Sequence, residues 1–172
     1  MRLAPVPMFF AKDREMAIRM SAESSRTTHG AQECIDAVRL FSAILLAAFI
    51  GASKEEILFE HGLEVPTSRR LADIAAGSYR NVDSDSINGS GYVVDSLEAA
   101  LWCFFNTDSF RDAVLTAANL GNDADTTAAI CGQLAGAYYG ESGIPEEWVA
   151  RRAKGEVIQS LADRLYRSSS HA

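Results

Sequence analysis

The sequence predicts an all-α protein, and three observations predict it. Apolar residues recur at three- to four-residue spacing through nearly the whole chain. No stretch alternates apolar and polar residues in the period of two that a half-buried strand needs. Capping and turn residues punctuate the helical stretches where helix ends require them. The 172 residues are one domain's worth of chain, without internal repeat and long enough to bury a sizeable core.

The elements follow in order. The opening "MRLAPVPMFF" holds two prolines and no polar lead-in, so it reads as an extended segment entering a packed structure, as an internal piece of a longer sequence would. "DREMAIRMSAESS" (13–25) has helical spacing. "HGAQECIDAVRLFSAILLAAFIG" follows, with Cys34, Val38, Phe41, Leu45 and Phe49 on one stripe. Ser53 with Glu56 three residues on is a capping-box signature, opening the short helix "KEEILFEHG". Another short helix covers "SRRLADIAAG", ending at Gly77. Residues 79–92, "YRNVDSDSINGSGY", have turn chemistry and no apolar period, and read as an internal loop. Three helices come next: "VVDSLEAALWCFFN", "SFRDAVLTAANLG" and "DADTTAAICGQLAGAYYG". Pro145 stands where a first helical position belongs, ahead of one last helix, "EEWVARRAKGEVIQSLADRLY". Residues 168–172 read as a frayed tail. Trp102, Trp148 and the Phe104–Phe105 pair read as packing.

Composition limits the function classes. The apolar share (48%) and charged share (23%) are those of an ordinary soluble globular protein. A net charge of −7 argues against a nucleic-acid binder, which needs a basic face for phosphates. Cys34, Cys103 and Cys131 lie far apart, with no CxxC pair and no histidine at ligand spacing, so neither a disulfide framework nor a zinc site is expected. The most apolar run, residues 41–51, is too short to span a bilayer. No signal peptide is visible, and the expected location is the cytoplasm.

The stretch "LGNDADTTAAICGQLAGAYYG" concentrates the chemistry. Ala128, Gly132, Ala135, Gly136 and Tyr139 form one helical stripe of mostly tiny side chains. The two glycines each cost about 1 kcal/mol of helix propensity, which is tolerated where a neighbouring helix approaches very closely. This helix is therefore expected at the centre of the bundle. Asn122 tolerates the left-handed backbone a turn needs, and Asn122 or Asp123 caps the helix. Asp125 and Thr126 fall in its first turn, where unpaired amides favour negative charge. Asp123 and Asp125 read either as cap and dipole residues or as metal ligands. Two ionised carboxylates near a core are costly unless paired or metal-bound, and residues 113–140 contain no lysine or arginine. Two carboxylates and a hydroxyl are hard oxygen donors, suited to Mg²⁺, Mn²⁺ or Ca²⁺ rather than zinc. Both readings stay open from the residues alone.

The same stretch resembles the carboxy-terminal signature of the ADP-ribosylglycohydrolase family, which includes the dinitrogenase-reductase-activating glycohydrolases. The likeness runs through essentially the whole chain, residues 1–172. "MRLAPVP" resembles the family's Met-Arg-x-Ala-Pro segment, and "TTH" at residues 27–29 its Thr-His turn. "NGSGYVVDSLEAALWCFF" resembles its Gly-x-Gly loop and following helix, and "GIPEEW" its Ile-Pro-x-x-Trp. The resemblance implies a multi-helix orthogonal bundle, incomplete here at the amino terminus. It implies hydrolysis of N- or O-glycosidic ADP-ribosyl linkages at a site with two adjacent Mg²⁺ or Mn²⁺ ions. By the motif match, Asp123, Asp125 and Thr126 stand at metal-ligand positions. Met1, Arg2, His29, Gly91 and Tyr92 stand where the family contacts ADP-ribose. On sequence alone His29 also reads as a helix cap, Arg2 as an ordinary salt-bridge residue and Tyr92 as a core aromatic.

The departures are as informative. Asn122 replaces a more usual glycine. Family members are nearly twice this length, and the Gly-Asp-x-x-Gly and Thr-Asp-Asp motifs of their amino-terminal half have no counterpart here, so no catalytic residue is assigned in this chain. The acids of "NVDSDS" (81–86) lie in the wrong place. The resemblance thus implies a fragment that binds metal weakly and is inactive alone, with uncovered apolar surface favouring the missing half or self-association. Two function classes follow: part of an ADP-ribosyl hydrolase, or a non-catalytic helical module that binds a ligand or a protein.

Overall fold

A computed structural model describes residues 1–63 and 67–169. Among the described residues there are ten α-helices and no strand. No helix among these residues is long and apolar enough to cross a membrane.

Met1–Leu3 run irregularly into α1 (Pro5–Phe9). The opening is thus helical where an extended segment was expected, because prolines in a first helical turn lack only amides that have no intrahelical acceptor. Leu3 and Pro7 nevertheless enter the core side. α2 (Arg14–Arg26) starts where the Asp13 carboxylate accepts the Met16 amide at 2.9 Å. α3 (Gln32–Phe49) is buried around much of its girth by Ile35, Leu40, Phe41, Ile44 and Leu45. Its anticipated stripe is only partly inside, since Cys34, Val38 and Phe49 are half-buried. The capping box opens α4 (Lys54–Phe59), with Ser53 and Glu56 bonded reciprocally. α5 (Arg69–Ala75) ends before Gly77, whose φ of 83° supplies the left-handed stop.

Between residues 76 and 92 the chain makes two 3-10 turns, Ser78–Asn81 and Ser84–Ser86. This stretch is anchored: Tyr79 is fully buried, and the Trp102 indole donates to the Val82 carbonyl at 2.9 Å. α6 (Val93–Phe105), α7 (Phe110–Asn119) and α8 (Ala124–Tyr139) follow at the expected places. Helices α3, α6 and α8 pack on one another and hold most of the core, with α7 against α6 and α8. Cys103 and Cys131 are buried there, and desolvation pushes the Cys103 thiol up to about 12.

Two expectations about the second half are corrected. The glycine stripe of α8 does not mark a close helix contact. A Cβ added at Gly132 would meet Val114 at 3.7 Å, and one at Gly136 would meet Phe110 at 3.8 Å, both ordinary van der Waals distances to side chains. The buried stripe is Thr127, Ile130, Cys131, Leu134 and Ala135. The last helix is also two. α9 (Glu146–Arg151) has Pro145 as its N-cap rather than at its first position, and α10 (Gly155–Ser169) begins after Lys154, whose φ is 58°. A left-handed residue cannot continue a right-handed helix. α10 lies on α1 and has no buried residue. It runs through the first two residues of the anticipated tail, while 170–172 lie outside the described residues.

Candidate functional site

The turn before α8 sets the geometry. Gly121 and Asn122 have φ of 75° and 57°, so the chain reverses and Asp123 takes the N-cap position. Its carboxylate makes no capping bond. Neither Asp123 nor Asp125 accepts a hydrogen bond or pairs with a cation through its side chain among the described residues. Asp123 therefore does not cap through its side chain, while Asp125 stands in the first turn of α8, as the dipole reading has it.

The corner is not sunk in the bundle, contrary to expectation. Thr127 and Ile130 turn inward, Asp123 and Thr126 are half-buried, and Asp125 and Ala129 are exposed. One side of the first turn packs on the core while the opposite side is open. No group of three His, Cys, Asp or Glu side chains gathers at metal-binding distance among the described residues.

Three segments converge on this corner. The loop at residues 88–92 lies directly on it: the Asp123 amide donates to the Gly89 carbonyl at 2.9 Å. A Cβ on Gly91 would come within 3.4 Å of Asp123 Oδ2. From the other side, Met1 Sδ lies 4.0 Å from Thr126 Oγ1. Gln133 on α8 fastens this segment, since its Oε1 accepts the Ala4 amide at 2.8 Å and its Nε2 donates to the Met1 carbonyl at 2.6 Å. The third segment is the turn after α2. Arg2 donates there to the Ser24 carbonyl at 3.1 Å and to the hydroxyls of Thr27 and Thr28 at 2.9 and 3.3 Å. Arg2 thus bonds neutral oxygens, with no salt bridge among the described residues.

His29 sits at the end of that turn, exposed, with its carbonyl accepting the Ser25 hydroxyl at 3.0 Å. It is not the cap of α3, whose N-cap is Ala31.

Tyr92 is 41% exposed, so it is not a core aromatic. Its hydroxyl donates to Glu33, which also accepts the Ser68 hydroxyl at 2.8 Å. The Arg70 guanidinium lies 5.7 Å from the ring centroid, within cation–π range. Arg70 is itself held by Asp95 at 2.7 Å and Glu98 at 3.6 Å. Ser90 Oγ donates to Asp95 Oδ2 at 2.6 Å and accepts the Tyr92 amide at 3.1 Å. These bonds shift the titrations as the partners require. The Tyr92 hydroxyl and then the Ser68 hydroxyl hold the Glu33 carboxyl below its ordinary value. Hydrogen bonding to Glu33 raises the Tyr92 phenol.

Met1, Arg2, Gly91, Tyr92, Asp123, Asp125 and Thr126 are therefore linked through short steps, with His29 at the margin on the Arg2 turn. Sequence reasoning missed Glu33, Arg70, Asp95 and Gln133, and placed Gly89 only within the Gly-x-Gly loop. The one local signal was Gln133, a lone amide in the apolar run "CGQLAG".

Comparison with known proteins shows the family. The ADP-ribosylglycohydrolase family model matches residues 1–172. An ADP-ribosylarginine hydrolase of Pseudomonas putida is 45% identical over 169 residues, covering 96% of this chain and 44% of that protein. An ADP-ribosyl-dinitrogen reductase glycohydrolase of Rhodospirillum rubrum is 44% identical over 62 residues, 36% of this chain and 21% of that one. A solved structure, an ADP-ribosylglycohydrolase-related protein complex, superposes with a TM-score of 0.83 at 33% identity, over 95% of this chain and 57% of its own. The chain thus spans about half the length of the Pseudomonas relative and of the solved structure.

Proposed function

This chain belongs to the ADP-ribosylglycohydrolase family, and from that premise we propose that it carries part of the site of an ADP-ribosyl hydrolase. The observation that best supports this is the pair of unpartnered carboxylates, Asp123 and Asp125, beside Thr126 where the Met1 segment and the 88–92 loop meet. Carboxylates left without a cation or donor at a half-buried corner suit a divalent ion.

The donor set fits Mg²⁺ or Mn²⁺ in part. Asp123, Asp125 and Thr126 would hold the metal through hard oxygens, and three side chains leave the remaining positions of an octahedron to water or to oxygens from elsewhere. A bound pair of such ions supplies charge to polarise the attacking or leaving oxygen at an anomeric carbon and to orient ribose hydroxyls. The chain's own residues do the rest of the binding. The open face of Tyr92 stacks on a purine. The absent Cβ of Gly91 keeps space beside Asp123. Arg2 orders the 24–28 turn, which presents His29 to the ligand. The chain holds no residue assigned to proton transfer, and is inactive alone.

The exposure of Asp125 favours one competing reading, a non-catalytic ligand-binding module. Metal titration and complementation separate the two. Mn²⁺ is expected to raise the melting temperature of the chain, and Asp125→Ala to abolish the rise; ligand at a hundred times Kd adds about 2.7 kcal/mol. Mixing with the amino-terminal half of a relative is expected to release ADP-ribose from ADP-ribosylarginine. Metal binding without release favours the module, and no thermal response to Mn²⁺ defeats the metal assignment.

A further inference from the structure

Asn122 pays for a left-handed backbone that glycine adopts more readily, with φ at 57°. Its side chain makes a specific contact in return: Nδ2 donates to Asn88 Oδ1 at 2.7 Å. One residue on, the Asp123 amide donates to the Gly89 carbonyl. Gly89 is required here by contact rather than by conformation. A Cβ at that position would lie 2.5 Å from Thr127 Oγ1 and 3.3 Å from Thr127 Cβ. Thr127 cannot readily give way, because it is fully buried and its hydroxyl donates to the Asp123 carbonyl at 3.1 Å.

Every fastening in this group grips backbone or neutral amide. None touches a carboxylate, and Asp123 and Asp125 keep their oxygens. The loop then continues through Ser90, which holds the Tyr92 amide. A path of four residues, 89–92, therefore joins the acidic corner to the aromatic ring.

We propose that Asn88, Gly89, Asn122 and Thr127 are positioning residues: they form a clasp that fixes the backbone of Asp123 against the loop that carries Tyr92, and so sets where the carboxylate and the ring start from. A ligand engaging both must present a cation-chelating oxygen group and an aromatic ring. The consequence for ligand binding rests on the function proposed above; the clasp itself does not.

Amide hydrogen exchange in the chain as it stands tests the clasp without any ligand. Asn88→Ala and Asn122→Gly each remove the amide pair, and glycine keeps the left-handed turn at lower backbone cost. The Asp123 amide is expected to exchange about 2- to 10-fold faster in both variants, the range that losing one hydrogen bond allows. The melting temperature of Asn122→Gly should not fall. Asn88→Asp retains an acceptor for Asn122 and is expected to restore protection. Unchanged exchange at Asp123 in both variants overturns the proposal, as does acceleration spread evenly over α8, which marks general destabilisation. With Mn²⁺ and ADP-ribose as probes, the wild-type chain should bind each more tightly in the presence of the other. That coupling should shrink in Asn122→Gly, and equal coupling in both proteins counts against the clasp. If the wild-type chain binds neither probe, the hydrolase reading fails while exchange at Asp123 still decides the clasp.

Discussion

Glu33 and Tyr92 lie 59 positions apart, and their bond links α3 to the loop beside the acidic corner. The carboxyl sits below its ordinary 4.5 and the phenol above its ordinary 10.0, each chiefly because of the other. The signs follow from linkage. A depressed carboxyl contributes stability above pH 4.5, and loses it as pH falls through the folded value. A raised phenol contributes below pH 10.0, and loses it as pH rises through the folded value. The bond is therefore complete between those limits and fails at both ends. Glu33→Gln is expected to bring the Tyr92 phenol back toward 10, read as the difference in tyrosinate absorbance between this variant and its Tyr92→Phe derivative. No change in that titration would mean the bond does not form in solution. The residues of this pair were not legible in the sequence as partners, because nothing local to "QEC" or "SGY" specifies the other.

At the scale of elements, local chemistry was readable and packing was not. Asp13, Ser53 and Ser109 cap α2, α4 and α7 as their side chains allow. The stripe of small residues on α8 was legible as a pattern, yet the structure turns its glycines to α7 at a distance where a methyl group would fit in ordinary contact. Gly132→Ala and Gly136→Ala are accordingly expected to stabilise the protein by roughly 0.5–1 kcal/mol each, by helix propensity alone. Chemical denaturation measures this. Destabilisation would restore the close-contact reading. The break between α9 and α10 is not legible in the sequence because Lys154 carries no turn signature of its own, yet its backbone is left-handed.

At the scale of the whole molecule, the first and last helices of the described residues meet. Leu3 is buried, Gln133 clasps Met1 and Ala4, and α10 rests on α1. α10 nonetheless leaves Val157, Ile158 and Leu161 each about half exposed. An apolar face of this kind favours association with another surface, and the chain spans only about half the length of the Pseudomonas relative and of the solved structure. Leu161→Glu is expected to lower the associated fraction in sedimentation, with a change in folding stability within about 0.5 kcal/mol. A sedimentation profile identical to wild type would leave this face without a role in association.

The sequence by itself determined the all-α class, the Ser53–Glu56 capping box, the left-handed turn at Asn122 and the concentration of oxygen donors at residues 123–126. These depend on interactions within one or two turns of chain, which spacing and residue type encode directly. Only the tertiary structure decided that the Asp125 carboxylate faces outward, that Gly89 must lie on Thr127, and that Glu33, Arg70 and Asp95 brace Tyr92. Those outcomes rest on contacts between segments tens of residues apart, where packing chooses the partners and no local period records the choice.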